Sequence, residues 1–233
     1  MRQFLRSVGW ARALTLVLIV GVGCTEPRGG DAAGVEGAAA GRRATALPPR
    51  PDTIHSTITL EGMDEPMTYW LYRSPPEFPI RFTTYVPTDM TAAPVAADEV
   101  DAIRFVAQFG GVRNEQVFLA IAVLPAGVDQ DAAQDLAGTA AGRYGVEIVD
   151  RAPDAPGRYP WSLEEWNFAR ELPGGRKAIG TAALGVHQGR YFFVVTHFPE
   201  EYAEGFGPRA ARILDEWRWE DTGEGLDVAD EVG

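Results

Sequence analysis

Histidine and cysteine, the side chains most often used to coordinate metals or to attack, are scarce in this chain, with three of the first and one of the second. His187 and His197 fall on two extended runs joined at Gln188-Gly189, and Glu200 and Glu201 follow closely. Two histidines with a carboxylate are the donor set of a divalent transition-metal site. The spacing works against one here. His187 adjoins the turn while His197 lies well up the returning strand, so at about 3.3 Å per residue they stand roughly 20 Å apart. No metal centre is expected, and His55 reads as a half-exposed strand residue. Nucleophilic catalysis lacks its parts as well: the single cysteine, Cys24, lies near the N-terminus, and no serine occupies a Gly-x-Ser-x-Gly elbow. Phe109-Gly110-Gly111-Val112 has neither the lysine nor the spacing of a phosphate-binding loop, and reads as a turn. No catalytic residue and no cofactor follow from these motifs. Because triads assemble in space, Ser, His and Asp converging in one cleft are the feature that would mark a hydrolase.

The aromatic residues are the remaining candidates for contact with a ligand or partner. Trp161, Trp166, Trp217 and Trp219, with Tyr159, could line a groove for a peptide, glycan or lipid. Trp166 lies in an apparent strand and Trp217 on the inward face of a helix, so both are expected in the core. Tyr159 and Trp161 occupy a proline-rich loop and Trp219 ends a predicted helix, so these three are the expected contact residues.

The start of the chain carries an address. Arg2, Arg6 and Arg12 precede an apolar run from Ala13 to Val22, the h-region length of a secretory signal and too short to span a bilayer. Gly21-Val22-Gly23-Cys24 resembles the lipobox of bacterial lipoproteins, although that pattern usually has leucine where Gly21 stands. The resemblance implies cleavage after Gly23 and acylation of Cys24 on its thiol. More than one acyl chain, each buried methylene contributing about 0.8 kcal/mol, gives stable attachment. Thr25, which is not aspartate, implies the outer membrane, facing the periplasm, in a Gram-negative host. The alternative is an ordinary signal peptide cleaved nearby, leaving Cys24 as a thiol. With no second cysteine, no intramolecular disulfide can form.

Composition divides the rest. The full chain has a formal charge of −12; without the three leader arginines it would be −15. Such a surface repels phosphate backbones and anionic headgroups, which argues against nucleic acid and against the body lying on the bilayer. Residues 24–51 hold no aromatic residue and no periodicity, and read as the lipidated cysteine followed by a flexible linker. Residues 52–220 form one globular domain large enough to bury a core. Residues 221–233, rich in acids and glycine, read as a disordered acidic tail.

Within that domain, Thr53–Leu60 and Met67–Tyr72 flank a Gly-Met-Asp-Glu-Pro turn and read as a hairpin. Further extended runs are expected over 80–86, 102–109, 116–124, 146–149 and 166–172, and a second clear hairpin over 178–187 and 190–198. Gln116 to Leu124 is apolar on both faces, which requires cover on both. Helices are expected over 129–143, with Ala133, Leu136, Ala137 and Ala140 on one face, and over 199–219, where Gly205, Gly207 and Pro208 set the first turn apart. The class is therefore α+β, a largely antiparallel sheet between helices. Phe82-Thr-Thr-Tyr-Val-Pro87-Thr-Asp-Met90, the two-faced strand ending in Leu124-Pro125, and Gly189-Arg-Tyr-Phe-Phe-Val-Val-Thr-His-Phe-Pro199-Glu-Glu-Tyr202 with Ile213-Leu214 beyond resemble the PsbP-like superfamily. That family includes a photosystem II subunit, a nuclear-transport factor that binds the GTPase Ran, and many bacterial lipoproteins. The resemblance implies an α/β/α sandwich and transfers no functional residue. Together these features point to a membrane-anchored envelope lipoprotein, non-enzymatic, that binds or supports another envelope protein; the alternative is a small-ligand or lipid-binding module with a pocket between sheet and helices.

Overall fold

A computed structural model of the protein describes residues 49–97, 100–142, 146–147 and 158–226. The leader, Cys24, the linker as far as Pro48, the expected strand residues Ile148 and Val149, Pro153, Pro156 and the last seven residues lie outside them.

The architecture is mostly antiparallel strand with two helices. A four-stranded sheet runs in the order β1 (Thr53–Leu60), β2 (Met63–Arg73), β3 (Phe82–Pro87), β11 (Arg218–Trp219). A seven-stranded sheet runs β4 (Met90–Ala97), β5 (Val100–Ala107), β6 (Asn114–Val123), β10 (Arg190–Pro199), β9 (Lys177–His187), β8 (Glu164–Glu171), β7 (Val146–Glu147). The β1–β2 turn is two residues, Glu61 and Gly62, both at positive φ, as a tight hairpin requires. It overlaps the expected turn at Gly62 alone, and Met63 to Pro66 join the strand.

The two-faced strand explains the layers. Val117, Leu119, Ile121 and Val123 of β6 join one core, while Phe118, Ala122 and Leu124 are buried on the opposite side. That second face is covered by α1 (Gln130–Gly142), which Asp129 caps by accepting a hydrogen bond from the Ala132 amide at 2.8 Å. Ala133, Ala137 and Ala141 form its buried stripe, with Leu136 and Ala140 partly buried beside them. The first face is covered jointly by the small sheet and by α2 (Ala203–Asp215), whose Phe206, Ala210, Ile213 and Leu214 join Phe82, Val86 and Phe105. One of the two outer layers is thus only partly helical. α2 packs against β3, where Thr84 Oγ1 donates to the Ile213 carbonyl, and also reaches β1.

β4 carries little strand signal, because its alanines and Pro94 lower strand propensity; as an edge strand it tolerates the missing amide. Two sequence expectations are corrected. The last helix ends at Asp215, not at residue 219, because Trp217 turns in to stack on Phe82 at 3.7 Å and Trp219 enters β11. Residues 221–226, expected as tail, belong to the domain: Leu226 is buried in the main core, and the amides of Trp219 and Gly223 donate to the carbonyls of Glu224 and Trp219.

A candidate binding groove on the small sheet

The candidate histidines stand apart, as their spacing predicts. His197 pairs in register with Gly180, seven residues along β9 from His187. His197 is buried between the rings of Phe118 (5.2 Å) and Phe168 (5.8 Å), and its Nδ1 donates to the Gln116 carbonyl at 2.7 Å. Burial pulls its pKa below the ordinary histidine value, and nearby Arg170 and Arg104 act in the same direction. Phe168 reaches it across Gly180, where a Cβ would meet the ring at 2.4 Å. Glu200 and Glu201 pair with Lys177 and Arg176 at the surface. Among the described residues no group of three or more His, Cys, Asp or Glu is placed to hold a metal. His55 is exposed on β1, 3.0 Å from Thr68 Oγ1.

His187 lies flat on Trp219 at 4.3 Å, with Nε2 3.0 Å from both carboxylate oxygens of Asp221. This pair borders a cleft of about 420 Å³ lined by Pro79, Ile80, Arg81, Gln188, Arg190 and Glu220. A histidine oriented by aspartate is two thirds of a hydrolytic triad. The lining holds no serine, cysteine or threonine for it to activate. The pair fastens the segment after β11 to the β9–β10 turn.

The expected contact residues belong to one chain of aromatic contacts, stacked as far as Phe192 and edge-on at Trp219. Ring centroids follow at 5.2 Å from Tyr159 to Trp161, 5.6 Å to Phe192 and 5.2 Å to Trp219. Trp161 is 6 % and Trp219 3 % exposed, so the expectation of partial exposure is corrected for both; Tyr159 is half-buried. They build the core, and Trp219 alone of the three reaches the groove beside it.

That groove, about 680 Å³, opens on the small sheet where the described chain begins. Its floor is Ile54, Leu71 and Tyr85, which alternation turns to one face of β1, β2 and β3. Arg50 closes one side. Its guanidinium lies 4.4 Å over the Tyr85 ring and donates to Thr83 Oγ1 and Glu216, both at 3.0 Å. Burial pulls the Arg50 pKa down, and Tyr85 and Glu216 hold it up. Arg73 and Arg218 complete the rim. Nothing in the sequence pattern marks these residues: Arg50 falls in the stretch that reads as linker, and only strand register sets Arg73 and Arg218 on either side of Thr83.

A scan of family models found no match to the chain, and a search of curated proteins found none either.

Proposed function

We propose that this chain is a lipid-anchored protein of the cell envelope that works by binding rather than catalysis, and that the groove on the small sheet is its contact site for an envelope protein partner. The observation that carries the reading is the position of the groove. Its wall is built by Pro49, Arg50 and Pro51, the first residues of the domain, so a tether at Cys24 would deliver a bound partner to the membrane. The leader, the acylation of Cys24 and the outer-membrane placement rest on the sequence pattern. A PsbP-like relationship is part of the same proposal, supported by antiparallel sheet with a helix on one face and a terminal helix. The alternative reading, a small-ligand or lipid-binding module with a pocket between sheet and helices, shifts to this groove, which no described helix residue lines; its apolar floor and its rim of Arg50, Arg73 and Arg218 beside Glu216 and Glu220 support it.

The test compares in-cell crosslinking of the full-length protein with a Cys24→Ser variant, with mass spectrometry of the N-terminal peptide. Acylated wild type should capture a specific envelope protein that the variant does not. An unacylated wild-type peptide, or identical capture by both, overturns the tethered reading.

A further inference from the structure

Arg73, Thr83 and Arg218 occupy one register row across β2, β3 and β11. Neighbouring strands lie about 4.8 Å apart, so the two arginine backbones flank the threonine with roughly 10 Å between them. Arg50 enters from outside and donates to the same hydroxyl. Arg50, Arg73 and Arg218 thus line one groove with Thr83 in a chain whose formal charge is −12, and Glu216 and Glu220 line it too. The nearby carboxylates are already engaged. Glu216 is shared by Arg50 at 3.0 Å and Arg212 at 2.9 Å, and Glu220 is held by Arg81. The partner of Arg73, Asp52, is 87 % exposed, where an ion pair contributes little. Arg218 donates to the carbonyls of Asp215 and Trp217 just past the C-terminus of α2, which fixes its position. One row further along the same face, Leu71 opposes Tyr85, and Ile54 lies beyond on β1. The volume is in the range that encloses a small ligand.

We propose that this groove binds a single-chain amphiphile with an anionic head, a carboxylate or a phosphate, the head seated on the Arg73–Thr83–Arg218 row and the chain lying over Leu71, Tyr85 and Ile54. The proposal rests on reading the groove as a binding site and is independent of the tether.

The test is calorimetric titration of the chain from residue 24 onward, carrying Cys24→Ser so that it has no acyl group of its own. The probes are dodecanoate and dodecyl phosphate, with dodecyl maltoside as the neutral chain and acetate and inorganic phosphate as heads without chains. One dodecanoate or dodecyl phosphate should bind per protein, with the neutral chain and the bare heads at least about tenfold weaker. Arg73→Gln and Arg218→Gln should each weaken binding about tenfold, the loss expected for one charge-assisted hydrogen bond. Arg73 is half exposed, so its variant should keep the wild-type melting temperature. Equal binding of dodecyl maltoside, undiminished binding by both variants, or inorganic phosphate binding as tightly as dodecyl phosphate overturns the proposal. If no probe binds, the amphiphile is excluded, and the groove as a protein contact is judged separately by crosslinking from position 73 in cells.

Discussion

Replacing Asp89 by alanine should be among the most damaging single changes outside the apolar core. Asp89 sits in the short link between β3 and β4, where the chain passes from one sheet to the other. Its carboxylate accepts from Arg209 Nε at 2.9 Å and Nη2 at 2.7 Å, while its carbonyl accepts from the Gln108 amide at 2.8 Å. Arg209 belongs to α2, donates also to the Gly205 carbonyl, and lies 4.6 Å over the Phe109 ring. Its side chain is 9 % exposed and that of Asp89 26 %. Removing the carboxylate strands a buried guanidinium. Breaking such a pair costs 3 to 5 kcal/mol, and the partial exposure of Asp89 lets water compensate in part, which places the loss at about 3 kcal/mol. For a domain of this size that is a fall in Tm of roughly 6 to 12 °C. The assay is urea unfolding, in which the midpoint should drop with an unchanged slope, alongside a thermal melt. A paired Asp89→Leu, Arg209→Met variant should recover most of the loss, because no charge is then left buried. A single variant costing under about 1 kcal/mol, or a double variant no better than the single one, would refute the view that this ion pair ties α2 to the crossover.

Other outcomes follow from the same geometry. The folded pKa of His197 lies below its unfolded value near 6.5, so protonation favours the unfolded chain; stability should be full above that pH and fall as the pH drops below it. A His197→Phe variant should lose less than wild type between pH 7 and pH 5 in urea midpoints, and equal losses would contradict the assignment. Gly180→Ala would place a Cβ 1.9 Å from the Thr196 carbonyl oxygen, forcing two strands apart at a cost of about 3 kcal/mol, whereas the nearest atoms to a Cβ in Gly185→Ala belong to the Phe192 ring, a side chain rather than backbone, and it should cost less. A chain ended after Glu220 loses the buried Leu226 and the Asp221 contact to His187, and should be about 1.5 to 3 kcal/mol less stable by thermal melting.

What could be read in advance was whatever depends on local periodicity. The two hairpins, the apolar faces of β6 and the alanine stripe of α1 all announce themselves through spacings of two or of three to four residues. β4 did not, because an edge strand of small residues with a proline carries little hydrophobic signal. The division into two sheets was equally invisible, since it depends on which strands β3 and β5 choose as neighbours. Composition misplaced the tail: acids and glycines around Asp221 and Gly223 read as solvated chain, yet a single leucine beyond them is buried. The candidate site fared worst. Trp161 and Trp219 are bulky enough to look like contact residues, but Trp161 is buried stacked on Phe192 and Trp219 edge-on to Phe192 and flat against His187. Arg50, Arg73 and Arg218 are separated in sequence by 23 and 145 positions; cross-strand register sets Arg73 and Arg218 beside Thr83, and a side-chain hydrogen bond brings Arg50 to it.

The central claim is that a tethered domain engages its partner through the groove. It is tested most directly by a photo-crosslinking residue placed at position 73 in the full-length protein in living cells, with position 135 on α1 as the remote control. The account predicts one discrete adduct from position 73 that is absent from position 135 and lost in Cys24→Ser. Adducts of equal yield from both positions, or none from position 73 in an acylated protein, would contradict it.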